Sequence, residues 1–335
     1  MKIFLSTDFS EDRLRFTAQI GADGVSGQPK PGSGDDGFYS VETLRNHKDL
    51  VESYGLKWAA VRMAPLEWTY RWMLGLRGGN GQIENYKKTL RNMSEVGLDF
   101  IIFNMHALRI YRTSSTAPDR AGSSATSFNI SLATGNPIME HPNSGFNIQW
   151  VPEDERRSKS DADMWANLTR FMEEITPVAE EVGVRVGLHP DDPPVPEISG
   201  VARIMRSPEA FRRYLDLVPS DNTGVVFCQG CFTEMGCDLV DEITYFGTRG
   251  KIFSVDFRNI RGELNDFQET FPDTGNADMV EAMRAYHEAG FDGWITPDHA
   301  IHIDGDSDWG HRYWAYAVGH IRGIDQALKG TRRLA

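Results

Sequence analysis

The sequence predicts a single α/β domain over residues 1–335, a (β/α)8 barrel of the TIM type. Short apolar runs alternate with amphipathic stretches about eight times, as parallel strands alternate with the helices that cover them. The length of 335 residues suits such a barrel with insertions, although it could also hold two average domains.

Each predicted strand is followed by a stretch with helical periodicity. The predicted strands are Ile3–Asp8, Gly24–Gly27, Trp58–Met63, Phe100–Asn104, Arg185–His189, Gly224–Cys228, Ile252–Asp256 and Gly293–Pro297. The helices are predicted to begin near Asp12, Val41, Glu84, Ala162, Pro208, Asp238, Ala277 and Trp314. Glycines such as Gly55, Gly97 and Gly183 stand where helices end and the chain must turn back.

Residues 111–159 interrupt this alternation directly after the fourth predicted strand. The segment is rich in Ser, Thr, Asn, Gly and Pro and is too long for a simple connection. In a barrel it would lie over the mouth, where long insertions act as lids or form contacts between subunits of a homo-oligomer. A mobile surface loop is the alternative interpretation.

The composition excludes several classes of partner. Hydrophobic residues make up 40% and charged residues 25%, as in ordinary globular proteins. The formal net charge of −13 disfavours binding to nucleic acid or an anionic membrane. The apolar stretch at the start of the sequence is too short for a secretory signal, and no uncharged run approaches the roughly 18 residues that cross a bilayer. We therefore expect a cytoplasmic protein whose partner is a small molecule.

Four residues able to hold a divalent metal stand at or just beyond the ends of predicted strands. They are His189, Cys228, Asp256 and Asp298. Because the carboxyl ends of parallel barrel strands converge on one mouth, these side chains could meet around a single ion. A capping or packing role would explain any one of these residues. Such roles do not readily explain why four strands in succession all end in a residue that can bind a metal.

Residues beside these candidates add further chemistry. His189 is followed by Pro190-Asp191-Asp192-Pro193-Pro194, a stiff turn in which the two aspartates either orient the imidazole or shape the turn. His299 follows Asp298 and offers an acid/base group beside the metal.

The cysteines leave two interpretations open. Cys228 and Cys231 have the spacing of a redox motif, whereas the strand-end position of Cys228 favours a thiolate ligand. A zinc ribbon would need a second cysteine pair, which this sequence of three cysteines lacks. We favour the ligand interpretation and regard Cys231 and Cys237 as small buried residues.

Together, these motifs resemble those of the mannonate dehydratase family, which are metal-dependent lyases with a xylose-isomerase-like barrel. The resemblance spans most of the chain, and its most specific motifs are the His-Pro-Asp string and the Asn-Tyr-Lys helix. The matching segments are residues 13–16, 83–92, 188–194, 227–228, 257–260 and 297–299.

The resemblance implies both an activity and a set of roles. It implies that His189, Cys228 and Asp298 bind Mn²⁺ and that His299 is catalytic. The implied reaction removes water from D-mannonate to give 2-keto-3-deoxygluconate. Arg258, Arg112 and Asp191 become candidates for substrate binding, although solvated or ion-paired arginines are an equal alternative. Thiolate and imidazole ligands also suit Zn²⁺ or Fe²⁺.

The sequence departs from the family at two places. Asp256 stands where the family has histidine, and the family's tyrosine loop is replaced by Trp309-Gly310-His311-Arg312-Tyr313. Tyr313 or Tyr316 could supply the missing phenol. With two aspartates and a thiolate, a divalent ion would leave the site at about −1, which would hold a carboxylate substrate less strongly. The alternatives are an isomerase or epimerase acting on a more neutral sugar, and a non-catalytic sugar-acid-binding protein.

Overall fold

The computed structural model describes residues 1–62, 64–133, 135–140 and 146–332. The strands are β1 (Lys2–Ser6), β2 (Gly24–Gly27), β3 (Lys57–Arg62), β4 (Phe100–Asn104), β5 (Ser114–Pro118), β6 (Ser124–Asn129), β7 (Arg185–His189), β8 (Glu197–Ile198), β9 (Val201–Ala202), β10 (Thr223–Cys228), β11 (Ile252–Asp256), β12 (Asn259–Glu263), β13 (Asp266–Thr270) and β14 (Trp294–Thr296). The α-helices are α1 (Glu11–Gln19), α2 (Val41–Ser53), α3 (Tyr70–Met73), α4 (Gly79–Glu95), α5 (Ile130–Ala133), α6 (Asp161–Val182), α7 (Pro208–Leu217), α8 (Gln229–Glu234), α9 (Leu239–Gly247), α10 (Met279–Glu288) and α11 (His311–Arg332).

Eight parallel strands close a barrel in the ring order β1-β14-β11-β10-β7-β4-β3-β2, which confirms the predicted (β/α)8 fold. The predicted strand bounds agree with the structure to within two residues, and Met63 lies outside the described residues. The helix predicted near Glu84 begins earlier, at Gly79, because a glycine-rich stretch that resembles a loop is helical. In the described part of the chain, every helix is too short or too polar to traverse a lipid bilayer.

The barrel interior holds its own apolar cluster below the mouth. Two phenylalanine rings at its centre, Phe100 and Phe253, meet edge to face with centroids 6.0 Å apart. Glycines make room for them, since a Cβ at Gly187 would lie 2.9 Å from Phe100 and one at Gly224 would lie 2.7 Å from Phe253. The buried members of the cluster are Ala60, Phe100, Ile102, Val226 and Phe253.

A second sheet is built from two separate loops. Its antiparallel order is β12-β13-β6-β5, and we call it the roof sheet. Strands β5 and β6 come from the insertion at 111–159, whereas β12 and β13 form a hairpin directly after barrel strand β11. Phe128 and Phe267 pack between them in a small separate core. The described part of the insertion is therefore folded, while residue 134 and residues 141–145 lie outside the described residues. Its role as a lid stays a prediction.

Candidate active site

The four predicted metal ligands lie at the carboxyl ends of four neighbouring barrel strands. His189, Cys228 and Asp256 are the last residues of β7, β10 and β11, and Asp298 follows β14 by two residues. The strand register places Cys228 beside Asp256. Because these strands are consecutive in the ring, their side chains face one region of the mouth.

Short distances between ligand atoms link these four side chains at the mouth. Ligand atoms of Cys228, Asp256 and Asp298 lie within 4.8 Å of one another, and His189 is similarly close to Cys228 and Cys231. His189 Nε2 is also 3.1 Å from Asp256 Oδ2. The predicted residues therefore form one cluster, which we call the ligand cluster.

The chemistry of this cluster fits a divalent cation. Asp256 Oδ1 is buried and has no hydrogen-bond partner among the described residues, so it is an acceptor in need of a cation or donor. Burial alone would raise the pKa of Cys228, but its hydrogen bond with Cys231 and the charge of Arg258 lower it well below the usual value. A thiolate, an imidazole and two carboxylates are common ligands of transition metals.

Cys231 lies closer to the cluster than the sequence indicated. Its sulfur is 3.2 Å from Arg258 Nη2, and both Cys231 and Cys228 are buried free thiols. Burial and the neighbouring Cys228 raise the pKa of Cys231 well above its usual value. The two cysteines thus differ in acidity, because the pKa is lowered at the strand end and raised one helical turn later.

Arg62, which the sequence analysis did not single out, joins the cluster from β3. Its Nη2 is 3.3 Å from Asp256 Oδ2, and its Nη1 is 4.0 Å from Asp298 Oδ1. The predicted strand ran through Met63, so Arg62 was placed inside a strand rather than at its end. Applying the strand-end criterion to the observed bounds of β3 would have found it.

His299 lies between the ligand cluster and the roof sheet. Its Nδ1 is 2.9 Å from Glu269 Oε1, and its Nε2 is 3.3 Å from Asp298 Oδ2. Burial alone would lower the pKa of His299, but the charges of Glu269 and Asp298 raise it above its usual value. The backbone of His299 is left-handed, with φ 51°, a strained conformation of the kind that often occurs at functional sites.

Tyr313 lies near Asp298 and His299, whereas Tyr316 does not. Its hydroxyl is 3.5 Å from the backbone oxygen of Asp298, and burial raises its pKa. Tyr316 instead packs against Phe271 and His320.

Arg258 is a buried arginine whose guanidinium is paired with several groups of the protein. Its side chain is 1% exposed, and its Nε donates to the sulfur of Cys228 at 3.3 Å. Its other nitrogens contact Glu269, Asp192 and Glu234 at 2.8–3.2 Å. Protein acceptors therefore occupy the guanidinium, and a substrate contact would have to displace one of them. The predicted role in substrate binding stays untested.

The other two predicted substrate contacts are also held by the protein. Arg112 donates to Asp192 and, at 2.7 Å, to Glu269. Asp191 is fully buried, and its Oδ2 accepts the backbone N–H of Met205 at 2.8 Å. This geometry favours turn stabilisation for Asp191, and Asp192 takes the more central place in the charged network.

A cavity of about 250 Å³ opens on the β3–β4 side of the mouth, well beyond the roughly 10–15 Å³ that one water needs. Asn104 lines it and pairs in register with His189, so the cavity lies one strand away from the ligand cluster. Trp72 and Tyr86 also line it, and each has a buried polar atom without a hydrogen-bond partner among the described residues. Asn104 and His106 are further polar residues in the cavity lining.

The closed barrel and the ligand cluster define the class to which this chain belongs, the (β/α)8 barrels with a candidate metal site at the mouth. A xylose isomerase domain protein from Planctomyces limnophilus shares the fold, with a TM-score of 0.63 and 14% identity over 98% of each chain.

Within that class, the chain belongs to the D-mannonate dehydratase (UxuA) family, whose sequence profile matches residues 13–334. Mannonate dehydratase 2 from Halalkalibacterium halodurans is 31% identical over 310 residues, which cover 87% of this chain and 88% of the relative. Mannonate dehydratase from Endomicrobium trichonymphae is 34% identical, covering 79% of this chain and 77% of the relative. The crystal structure of mannonate dehydratase from Streptococcus suis serotype 2 has a TM-score of 0.87 and 27% identity, covering 98% of this chain and 94% of that one.

Proposed function

We propose that this protein is a hydro-lyase that converts D-mannonate into 2-keto-3-deoxygluconate and water. The observation that carries the proposal is the convergence of four metal-ligand side chains at the barrel mouth with His299 beside them. Family membership supports the choice of D-mannonate as substrate.

The reaction removes the proton from C2 and the hydroxyl group from C3. The electron pair of the C2–H bond becomes the C2–C3 double bond as the C3–O bond breaks, and the hydroxyl leaves with a proton as water. The resulting enol takes a proton at C3 and loses the proton of its C2 hydroxyl, which gives the 2-keto product. A divalent metal held by His189, Cys228, Asp256 and Asp298 would supply Lewis-acid stabilisation of the developing negative charge.

His299 is the residue best placed to move a proton. Glu269 contacts Nδ1 and orients the ring, which directs Nε2 towards Asp298 and the ligand cluster. Such orientation by a carboxylate is a common arrangement for catalytic histidines. Tyr313 is the second candidate, because its hydroxyl reaches the backbone of Asp298.

The proposal also covers the identity of the metal, the cellular location of the enzyme and the role of its insertion. We propose Mn²⁺, following the family pattern, with Zn²⁺ and Fe²⁺ as the competing ions for a thiolate-containing site. We further propose a cytoplasmic enzyme, single-domain, with residues 111–159 as a lid or a homo-oligomer contact. Elemental analysis of the purified protein would identify the ion, and sedimentation would give the subunit number.

The test uses protein reconstituted separately with Mn²⁺, Zn²⁺ and Fe²⁺ and incubated with D-mannonate. We expect a product lighter by one water, and about 10²–10⁴-fold slower turnover in His299→Ala. The matched control is His302→Ala, which removes an exposed histidine three residues away. An isomerase or epimerase would leave the substrate mass unchanged, and a binding protein would be stabilised by the sugar acid without product. Either result would reject the proposal.

A further inference from the structure

The ligand cluster carries an unusual amount of negative charge. Cys228, Asp256 and Asp298 are all acidic groups, and His189 is the one neutral ligand type among the four. A divalent cation would leave these groups with an excess of about one negative charge. Arg258 also contacts Cys228 and lies 3.8 Å from Asp298, but its charge is already paired with carboxylates outside the cluster, which are Asp192, Glu234 and Glu269. An anionic sugar acid would meet that excess as it approached the ion.

Arg62 supplies the opposite charge from across the barrel. Strands β3 and β11 stand opposite each other in the eight-stranded ring, each four positions from the other in either direction. The Arg62 guanidinium nevertheless lies 3.3 Å from Asp256 and 4.0 Å from Asp298. Its side chain therefore spans the mouth and joins residues 194 positions apart in the sequence.

The contact leaves one oxygen of Asp256 for another partner. Arg62 and His189 both lie near Oδ2, while Oδ1 is buried without a hydrogen-bond partner among the described residues. The carboxylate can thus face a cation through one oxygen and the guanidinium through the other. The Arg62 side chain is only 15% exposed, so solvent screens this charge less than it would a surface pair.

We propose that Arg62 is a positioning residue for substrate, acting through the charge balance of the ligand cluster. By offsetting the charge of Asp256, it makes the metal-loaded site close to neutral and able to hold an anionic sugar acid. The identity of that acid rests on the proposed function, whereas the charge coupling between Arg62 and the metal does not. A purely structural ion pair would contribute to folding without this coupling.

The first measurement is the affinity for Mn²⁺, by chelator competition, in the wild type, Arg62→Gln and Arg62→Lys. Loss of the positive charge should tighten Mn²⁺ binding by at least about tenfold in Arg62→Gln, because repulsion between the two cations is removed. Arg62→Lys keeps the charge and should stay near the wild type. A structural role predicts weaker metal binding in both variants, and equal behaviour of Gln and Lys would overturn the proposal.

A double-mutant cycle tests the coupling through Asp256. Asp256→His should weaken Mn²⁺ binding, because it removes a negative charge while Arg62 remains. In the Asp256→His background, Arg62→Gln should tighten Mn²⁺ binding by a larger factor than it does in the wild type, because Asp256 no longer offsets the guanidinium charge. An equal effect in the two backgrounds would show that the residues are not coupled and would reject the proposal. Arg62→Met gives the same comparison if Arg62→Gln folds poorly.

The second measurement is the affinity of the Mn²⁺-loaded protein for D-mannonate, in a His299→Ala background that prevents turnover. We expect Arg62→Gln to weaken binding by about tenfold or more and Arg62→Lys to restore it. Unchanged sugar-acid affinity in Arg62→Gln would refute the substrate role. If the metal coupling appears but His299-intact protein does not dehydrate D-mannonate, only the proposed substrate is wrong.

Discussion

The two ends of the same barrel strands have opposite character. Strand β10 carries Val226 in the apolar interior cluster and ends at Cys228, and strand β11 carries Phe253 in that cluster and ends at Asp256. A few residues thus separate a packed hydrocarbon layer from a cluster of ionisable groups. The strands provide both stability and chemistry, but at different heights in the barrel.

The charged end contributes less to stability than the apolar end. Arg258, Asp192, Glu269 and Glu234 are buried together, and taking each ion out of water costs several kcal/mol before pairing offsets it. The apolar end has no such cost, because its side chains leave water and meet one another. We therefore expect substitutions at the mouth to impair function first and substitutions in the interior cluster to impair folding first.

The largest expected effect is the loss of metal at the mouth. Cys228→Ala should abolish stoichiometric Mn²⁺ binding and lower turnover by at least about a hundredfold, because it deletes a ligand. The thermal unfolding of the metal-free protein should change much less. Cys237→Ala, which removes a half-buried thiol whose sulfur contacts the Phe232 carbonyl at 3.1 Å, is the matched control. Metal binding retained by Cys228→Ala would remove the thiolate from the ligand set.

The next effect concerns the interior cluster. Phe253→Ala should destabilise the protein by about 3–5 kcal/mol, because it leaves a cavity beside Phe100. Denaturant unfolding measures this change, and Phe253→Leu should cost less. The folded fraction should still bind Mn²⁺ with wild-type affinity. Lost metal affinity in the folded variant would mean that the two ends of the barrel are not separable.

The smallest effect tests a polar contact on the helical layer, away from the mouth. Asp325 lies 2.9 Å from His287 and 2.6 Å from Lys329. Burial alone would raise the pKa of Asp325, but the hydrogen bond from Lys329 lowers it.

A lowered pKa in the folded state stabilises the protein above the unfolded pKa of about 3.9, and this gain is lost as pH falls through the lowered value. Asp325→Asn should therefore cost at most about 1 kcal/mol at neutral pH, and the difference should vanish in acid. Urea unfolding across pH tests this, with the exposed Asp308→Asn as control. A difference that grows in acid would contradict the assignment.

The barrel and the ligand cluster were predictable because local sequence determines both. A buried parallel strand has a short apolar sequence that can be recognised locally. The polar residue that ends such a strand lies at the mouth of the barrel, and this placement does not depend on the loops and helices around it. His189, Cys228, Asp256 and Asp298 could therefore be placed together without knowledge of any contact between them. The positions of Arg258 and Asp191 depended on long-range partners: Arg258 donates to Glu269, and Asp191 accepts the backbone N–H of Met205.

The residues that escaped prediction belong to pairings between distant segments. Glu269 lies in the β12–β13 hairpin, whose sequence is polar and typical of a loop. Strand β13 of this hairpin pairs with β6 from the insertion. Arg62 reaches Asp256 across the barrel, a contact that no local pattern encodes. In both cases the sequence shows the residue type but not the partner that gives it a role.

Strand β13 takes part both in the roof sheet and in the site at the mouth. It pairs with β6 in the roof sheet, and its Glu269 holds the His299 ring. If the roof swung away to release product, the acceptor that aligns the imidazole would leave with it. Any shift of β13 would therefore change the orientation of the His299 ring, which links the integrity of the roof sheet to the geometry at the mouth.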